Sequence, residues 1–296
     1  MKSIREIYKI GKGPSSSHTM GPERAAKLFR RENPQADAFQ VILYGSLSKT
    51  GVGHGTDRVL RETLAPLPTK IVFSQEELPG AHPNTLDFIA LKEGKELNRL
   101  RVESIGGGDI RIPGREDADS EEVYVEHSFA EIADFCKWRY IATLSDYVEL
   151  NEGPDIWDFL LNVWQTMKQS IQDGLNATGT LPGGLNVQRK ASYLYNKTGG
   201  CDAPALREFQ EIAAYAYAVA EQNADNGTIV TAPTCGACGV LPAVLKYVQD
   251  TKGYSDETIC RGLATAGIIG NLTKSNASIS GAECGCQAEI GTACSM

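Results

Sequence analysis

The chain has 296 residues, 42% hydrophobic and 22% charged, with eight cysteines and a formal net charge of -8. That length accommodates two ordinary domains, each with its own core. The acidic balance argues against nucleic acid as the main partner and for a small polar or cationic metabolite.

Near the start, MGPERAAKLFRREN has helical spacing. Beyond it, FQVILYGSL, TKIVFSQ, TLDFIALK, RLRVESIG and EEVYVEHS read as strands between Pro, Gly and charged turns. One further helix, TDRVLRETLA, follows His54 with Thr56 as its N-cap. From Phe129 onward the period lengthens, and Ile156, Phe159, Leu160, Val163, Trp164, Met167 and Ile171 fall on one face of a buried helix. Leu206, Phe209, Ala213, Ala216, Tyr217 and Ala220 repeat the pattern, and SDETICRGLATAGIIGNL opens at Ser255. The expected architecture is an α+β domain over residues 1–128 and an all-helical domain over 129–296, joined near EHSFAEI. No apolar stretch approaches the roughly 20 residues of a membrane span. The first residues, MKSIREIYKIGKG, are charged throughout, so the eight cysteines are expected as reduced thiols of a cytoplasmic protein.

Chemistry is expected in the glycine- and hydroxyl-rich breaks between these elements. In GPSSSHTMGP, the donors Ser16, Ser17, His18 and Thr19 precede a helix and suit a carboxylate, although a solvated N-cap reads equally well. GSLSKTGVGHGTD sets His54 between glycines after a strand end, GAHPNT puts His82 on a turn, and SIGGGDI offers a backbone nest for an anion. Three of the four histidines thus lie in loops of one small domain, where proton transfer near neutral pH is expected of them. His127 is assigned to structure. In the helical half, Arg189 follows Pro-Gly-Gly and suits either carboxylate recognition or a solvated helix start. Cys235 and Cys238 form Cys-x-x-Cys, but neither a second pair at zinc spacing nor a preceding βαβ pattern accompanies them.

Taken in order, GPSSSHTMGP, YGSLSKTGVGHGTD, SIGGG, LPGGLNVQRKA, TAPTCGACGVLPAVL and NASISGAECGCQAEIGTACSM resemble the iron-sulfur-dependent L-serine dehydratases, or L-serine ammonia-lyases. The resemblance implies an α+β domain, similar to allosteric substrate-binding domains, ahead of an all-α catalytic domain. It implies a 4Fe-4S cluster with Cys286, in Gly-Cys-Gln, as a ligand, and Cys284 and Cys294 as packing residues. Cys235 stands where an asparagine is usual. The implied reaction is a dehydration of L-serine to pyruvate and ammonia without pyridoxal phosphate, assisted by an open iron of the cluster. His54 and His82 are the candidates for proton transfer, and Ser16, Ser17, His18, Thr19 and Arg189 for substrate binding.

The other two cluster ligands of the family belong to a later segment. Ile290, Ala293 and Cys294 continue a helical face without a stop signal, so the sequence is expected to be incomplete at its C-terminal end, with one of three ligands and no activity alone. Self-association into a homo-oligomer is expected. Two other classes stand beside the enzyme: a serine-sensing module without turnover, and a zinc or redox protein built on Cys235, Cys238, Cys284 and Cys286.

Overall fold

The computed structural model describes residues 1–115, 122–197, 203–279 and 284–296. Two compact units result, one of Met1–Gly13 with Ser120–Met296, the other of Pro14–Asp119. In chain order the strands are β1 (Ile10–Lys12), β2 (Ala38–Leu43), β3 (Thr69–Phe73), β4 (Thr85–Lys92), β5 (Lys95–Gly106), β6 (Asp109–Arg111) and β7 (Thr228–Val230). The helices are α1 (Gly21–Glu32), α2 (Gly45–His54), α3 (Thr56–Leu64), α4 (Phe129–Arg139), α5 (Leu144–Glu152) and α6 (Ile156–Asn176). They continue as α7 (Ala191–Lys197), α8 (Pro204–Ala224), α9 (Val240–Lys252), α10 (Asp256–Asn276) and α11 (Cys286–Ser295).

The Pro14–Asp119 unit is built on a mixed sheet of order β3-β2-β4-β5-β6, with β2 parallel to β3 and antiparallel to β4. The β-branched and aromatic runs of the sequence become these strands because their alternating side chains reach a shared core. Phe29 on α1 packs against Phe39 and Phe88 of the sheet, with ring centroids 5.9 and 5.4 Å away.

Two expectations need correction here. The stretch carrying His54 is not a strand-end loop but the helix α2. Gly45, at φ 50°, turns the chain out of β2, and Gly55, at φ 70°, caps α2 in the left-handed region. Gly55 rather than Thr56 is also the N-cap of α3. Thr56 lies inside the helix and donates its hydroxyl to the His18 carbonyl at 2.7 Å.

The other unit packs its helices around Tyr124, Tyr147, Trp164 and Leu263, and Met1, Ile4, Ile7 and Tyr8 share that core. It is not purely helical, because β1 pairs antiparallel with β7, Ile10 opposite Val230. The expected strand EEVYVEHS does not form over its described residues: the Val123 and Tyr124 N–H groups both donate to the Met1 carbonyl at 2.9 Å, and a chain terminus replaces a neighbouring strand. α4 starts at Phe129 with a Ser128–Glu131 capping box.

α6 buries the face expected of it. On α8 the buried residues are instead Ala214, Tyr215, Ala218, Val219 and Glu221, while Leu206 and Phe209 are 49% and 69% exposed. Small residues win that face because α6 and α8 approach so closely that a Cβ on Gly174 would overlap the Ala218 carbonyl. Among the described residues no helix is long and apolar enough to cross a membrane.

Candidate active site

The hydroxyl-rich stretch before α1 folds as one wide helical turn, Ser16–Met20, which aims His18 inward. The Ser15 side chain accepts the His18 N–H at 3.2 Å, and the Thr19 hydroxyl donates back to the Ser15 carbonyl. Ser16, His18 and Thr19 are buried. Opposite them α2 presents Ser46, Thr50 and His54, spaced by four residues and therefore stacked on one face. Ser46 Oγ and Thr50 Oγ1 lie 3.2 and 3.0 Å from His18 Nε2, while Ser17 Oγ is 3.1 Å from His18 Nδ1. The rings of His18 and His54 are 4.4 Å apart at their centroids. His18 and His54 are thus brought together, with Ser17 beside them.

The two rings differ electrostatically. Burial, and to a lesser extent the charge of His54, pushes the His18 pKa down to about 4, although a backbone hydrogen bond involving Ser46 opposes the shift. His54 is half-buried, and its Nδ1 lies 2.9 Å from the Thr50 carbonyl. A carbonyl only accepts, so Nδ1 carries the hydrogen of neutral His54 and Nε2 keeps the lone pair. Among the described residues nothing hydrogen-bonds to that Nε2.

His82 occupies a different place in the same unit. It lines a cleft of about 640 Å³ with Tyr44, Lys49, Glu76 and Thr85, which neither His18 nor His54 lines. The Asn84 N–H donates to His82 Nδ1 at 3.1 Å, so neutral His82 carries its hydrogen on Nε2, the opposite pattern to His54. Glu103, buried and paired with Arg111 at 2.6 Å, accepts the His82 N–H at 3.3 Å. The SIGGG run closes the β5–β6 hairpin, with Gly106, Gly107 and Gly108 all at positive φ. Ser46, Thr50 and Glu103 were not singled out in the sequence. The recurrence of Ser46, Thr50 and His54 every four residues is a helical signal, hidden by the glycines interleaved with it.

In the helical unit, Arg189 has its side chain 6% exposed and gives Nη2 to Asp225 at 2.5 Å, while its buried Nη1 has no hydrogen-bond partner among the described residues. Glu221 beside it accepts the Lys190 and Ala191 N–H groups at the start of α7. His127 is exposed, and its backbone serves the capping box and accepts from Asn276 Nδ2.

Cys286 opens α11 and is exposed, as are Cys284 and Cys294, whereas Cys235 and Cys238 are buried. Burial pushes the Cys238 thiol up to about 12 and that of Cys235 well above its ordinary range, which disfavours the thiolate a metal needs. The described residues include no group of three or more His, Cys, Asp and Glu side chains able to hold a metal ion. They therefore do not fit a cluster held by three thiolates of this chain. Part of the NASISGAECG stretch, residues 280–283, lies outside the described residues.

A family described as the serine dehydratase beta chain matches residues 3–66, and one described as the serine dehydratase alpha chain matches residues 84–296. The L-serine dehydratase of Haemophilus influenzae is 36% identical over 352 aligned residues, covering all of this chain and 77% of that protein. L-serine dehydratase TdcG of Escherichia coli is likewise 36% identical, with 100% and 77% coverage. The L-serine dehydratase of Streptomyces coelicolor is 34% identical, with 99% and 76%.

Proposed function

Since the chain belongs to the L-serine dehydratase family, we propose that it takes part in the dehydration of L-serine to pyruvate and ammonia, with His54 as the base. The observation that carries this reading is the tautomer of His54. With Nδ1–H held by the Thr50 carbonyl, the Nε2 lone pair is unoccupied among the described residues, in a side chain that solvent still reaches. That is the arrangement a proton acceptor requires.

In the reaction, a base takes the proton from the α-carbon and the β-hydroxyl departs as water. The resulting aminoacrylate becomes an imine, which water hydrolyses to pyruvate and ammonia. His54 Nε2 is assigned the α-proton. His18 remains neutral beside it and does not compete for that proton. Ser16, Ser17 and Thr19 are proposed to shape the substrate-binding turn with His18, the hydroxyl hydrogens of Ser17 and Thr19 being committed to His18 Nδ1 and the Ser15 carbonyl. His82, which lines a different cleft, is the second candidate for proton transfer and would donate as the doubly protonated imidazolium. Arg189, whose Nη2 Asp225 holds while Nη1 has no partner among the described residues, is the further candidate for substrate binding.

The iron-sulfur cluster is the finer part of the proposal. Cys286 is the residue proposed to bind it, and the helical part from residue 129 is proposed as the catalytic domain. The described thiols do not gather three ligands. Every described cysteine is a free thiol, which suits a reducing, cytoplasmic setting.

Incubating anaerobically prepared, iron-loaded protein with L-serine and measuring pyruvate and ammonia tests the reading. Equal amounts of both are expected where a cluster with its further ligands has assembled, and neither where Cys286 is the sole ligand. Serine-dependent stabilisation of the fold with no pyruvate at any iron content would instead favour a serine sensor.

A further inference from the structure

We propose that Thr50 is the positioning residue that sets the protonation pattern of both stacked histidines, an inference that rests on the reading of His54 as the base. The Thr50 hydroxyl donates to the Ser46 carbonyl at 2.8 Å. With that hydrogen committed, Thr50 Oγ1 meets His18 Nε2, 3.0 Å away, as an acceptor, so the hydrogen of neutral His18 lies on Nε2. His18 Nδ1 is left as a lone pair for the Ser17 hydroxyl at 3.1 Å. The carbonyl of the same Thr50 takes Nδ1–H of His54 at 2.9 Å. One residue therefore gives opposite tautomers to two rings whose centroids are 4.4 Å apart.

The two halves of Thr50 can be separated experimentally. Valine keeps the branched shape and the carbonyl, so His54 is still held, but it removes the nearer acceptor for His18 and leaves Nε2–H only Ser46, whose Oγ is 3.2 Å away. A buried N–H that loses its better acceptor is costly to keep, and His18 is only 8% exposed. The alternative tautomer escapes that cost, because Nδ1–H can donate to Ser17 or Ser15 while Nε2 accepts from the Ser46 hydroxyl, 3.2 Å away. Thr50→Val should therefore move the His18 hydrogen from Nε2 to Nδ1.

Long-range nitrogen–proton NMR of the imidazoles reads this directly, and the four histidines of the chain can be assigned by single replacements. In the parent, His18 should show a protonated Nε2 and a bare Nδ1. Thr50→Val should invert or mix that pattern, Thr50→Ser should restore it, and Ser46→Ala should leave it as in the parent. An unchanged His18 pattern in Thr50→Val overturns the proposal, as does inversion by Ser46→Ala. If Thr50→Val does not fold, the Ser46→Ala spectrum still decides. No turnover is needed for the readout. A failure of the dehydratase reading would appear separately, as a parent protein with the expected tautomers and no pyruvate.

Discussion

His18 and His54 stack with their ring centroids 4.4 Å apart and their planes inclined by 31°, one ring sealed inside the α+β unit and the other reaching solvent. A proton on the sealed ring would lack hydration and would repel a charge on its neighbour, so the inner ring stays neutral.

The first expectation is a pH dependence of stability. His18 falls from an ordinary 6.5 to about 4 in the folded protein, so between those values the unfolded chain binds the extra proton. Stability from this group is complete above pH 6.5 and is lost as pH falls through about 4, a change of at most about 3 kcal/mol. Denaturant unfolding at several pH values measures it. His18→Gln should flatten this part of the slope, and an equally steep slope in that variant would remove His18 as its source.

The cysteines should divide by burial. Cys284, Cys286 and Cys294 are exposed, whereas Cys235, Cys238 and Cys260 are buried, with Cys238 pushed to about 12 and Cys260 to about 11 mainly by burial. Brief alkylation of the native protein followed by peptide mass spectrometry should mark the first three and spare the second three. Rapid labelling of Cys235 or Cys238 would show that their loop opens and would return them to consideration as metal ligands.

Gly174 should behave unlike an ordinary helical glycine. Alanine in a helix interior normally stabilises by about 1 kcal/mol, but here its Cβ would overlap the Ala218 carbonyl, a backbone group that cannot swing away. Gly174→Ala should destabilise by about 1–3 kcal/mol. Gly236→Ala, whose Cβ would meet only the flexible end of Glu289, should cost less. A Gly174→Ala protein as stable as the parent would mean that α6 and α8 are further apart than described.

Much of this was legible in the sequence. TKIVFSQ contains β3, TLDFIALK coincides with β4 and RLRVESIG forms the second part of β5, and the buried face of α6 follows its apolar period. The failures share a cause, namely that distant contacts decide the local outcome. GSLSKTGVGH has too many glycines to read as a helix, yet Leu47, Ser48 and Gly51 bury it and Gly55 caps it. Val123 and Tyr124 look like a strand but bond to Met1, 122 and 123 residues back in the chain. The candidate histidines were visible as residue types. Their tautomers were not, because these depend on the Thr50 carbonyl and the Asn84 N–H.

The central claim is that His54 takes the α-proton of L-serine. The most direct test is the rate of pyruvate formation per bound iron-sulfur cluster, measured anaerobically for the parent, His54→Ala and the control His127→Ala. Replacing the base should lower the rate by about 10²- to 10⁴-fold, with the parent's CD spectrum retained. His127 contributes backbone contacts only to a helix cap and to Asn276, so its replacement should stay within a few-fold of the parent. A His54→Ala protein that forms pyruvate within a few-fold of the parent rate would contradict the assignment.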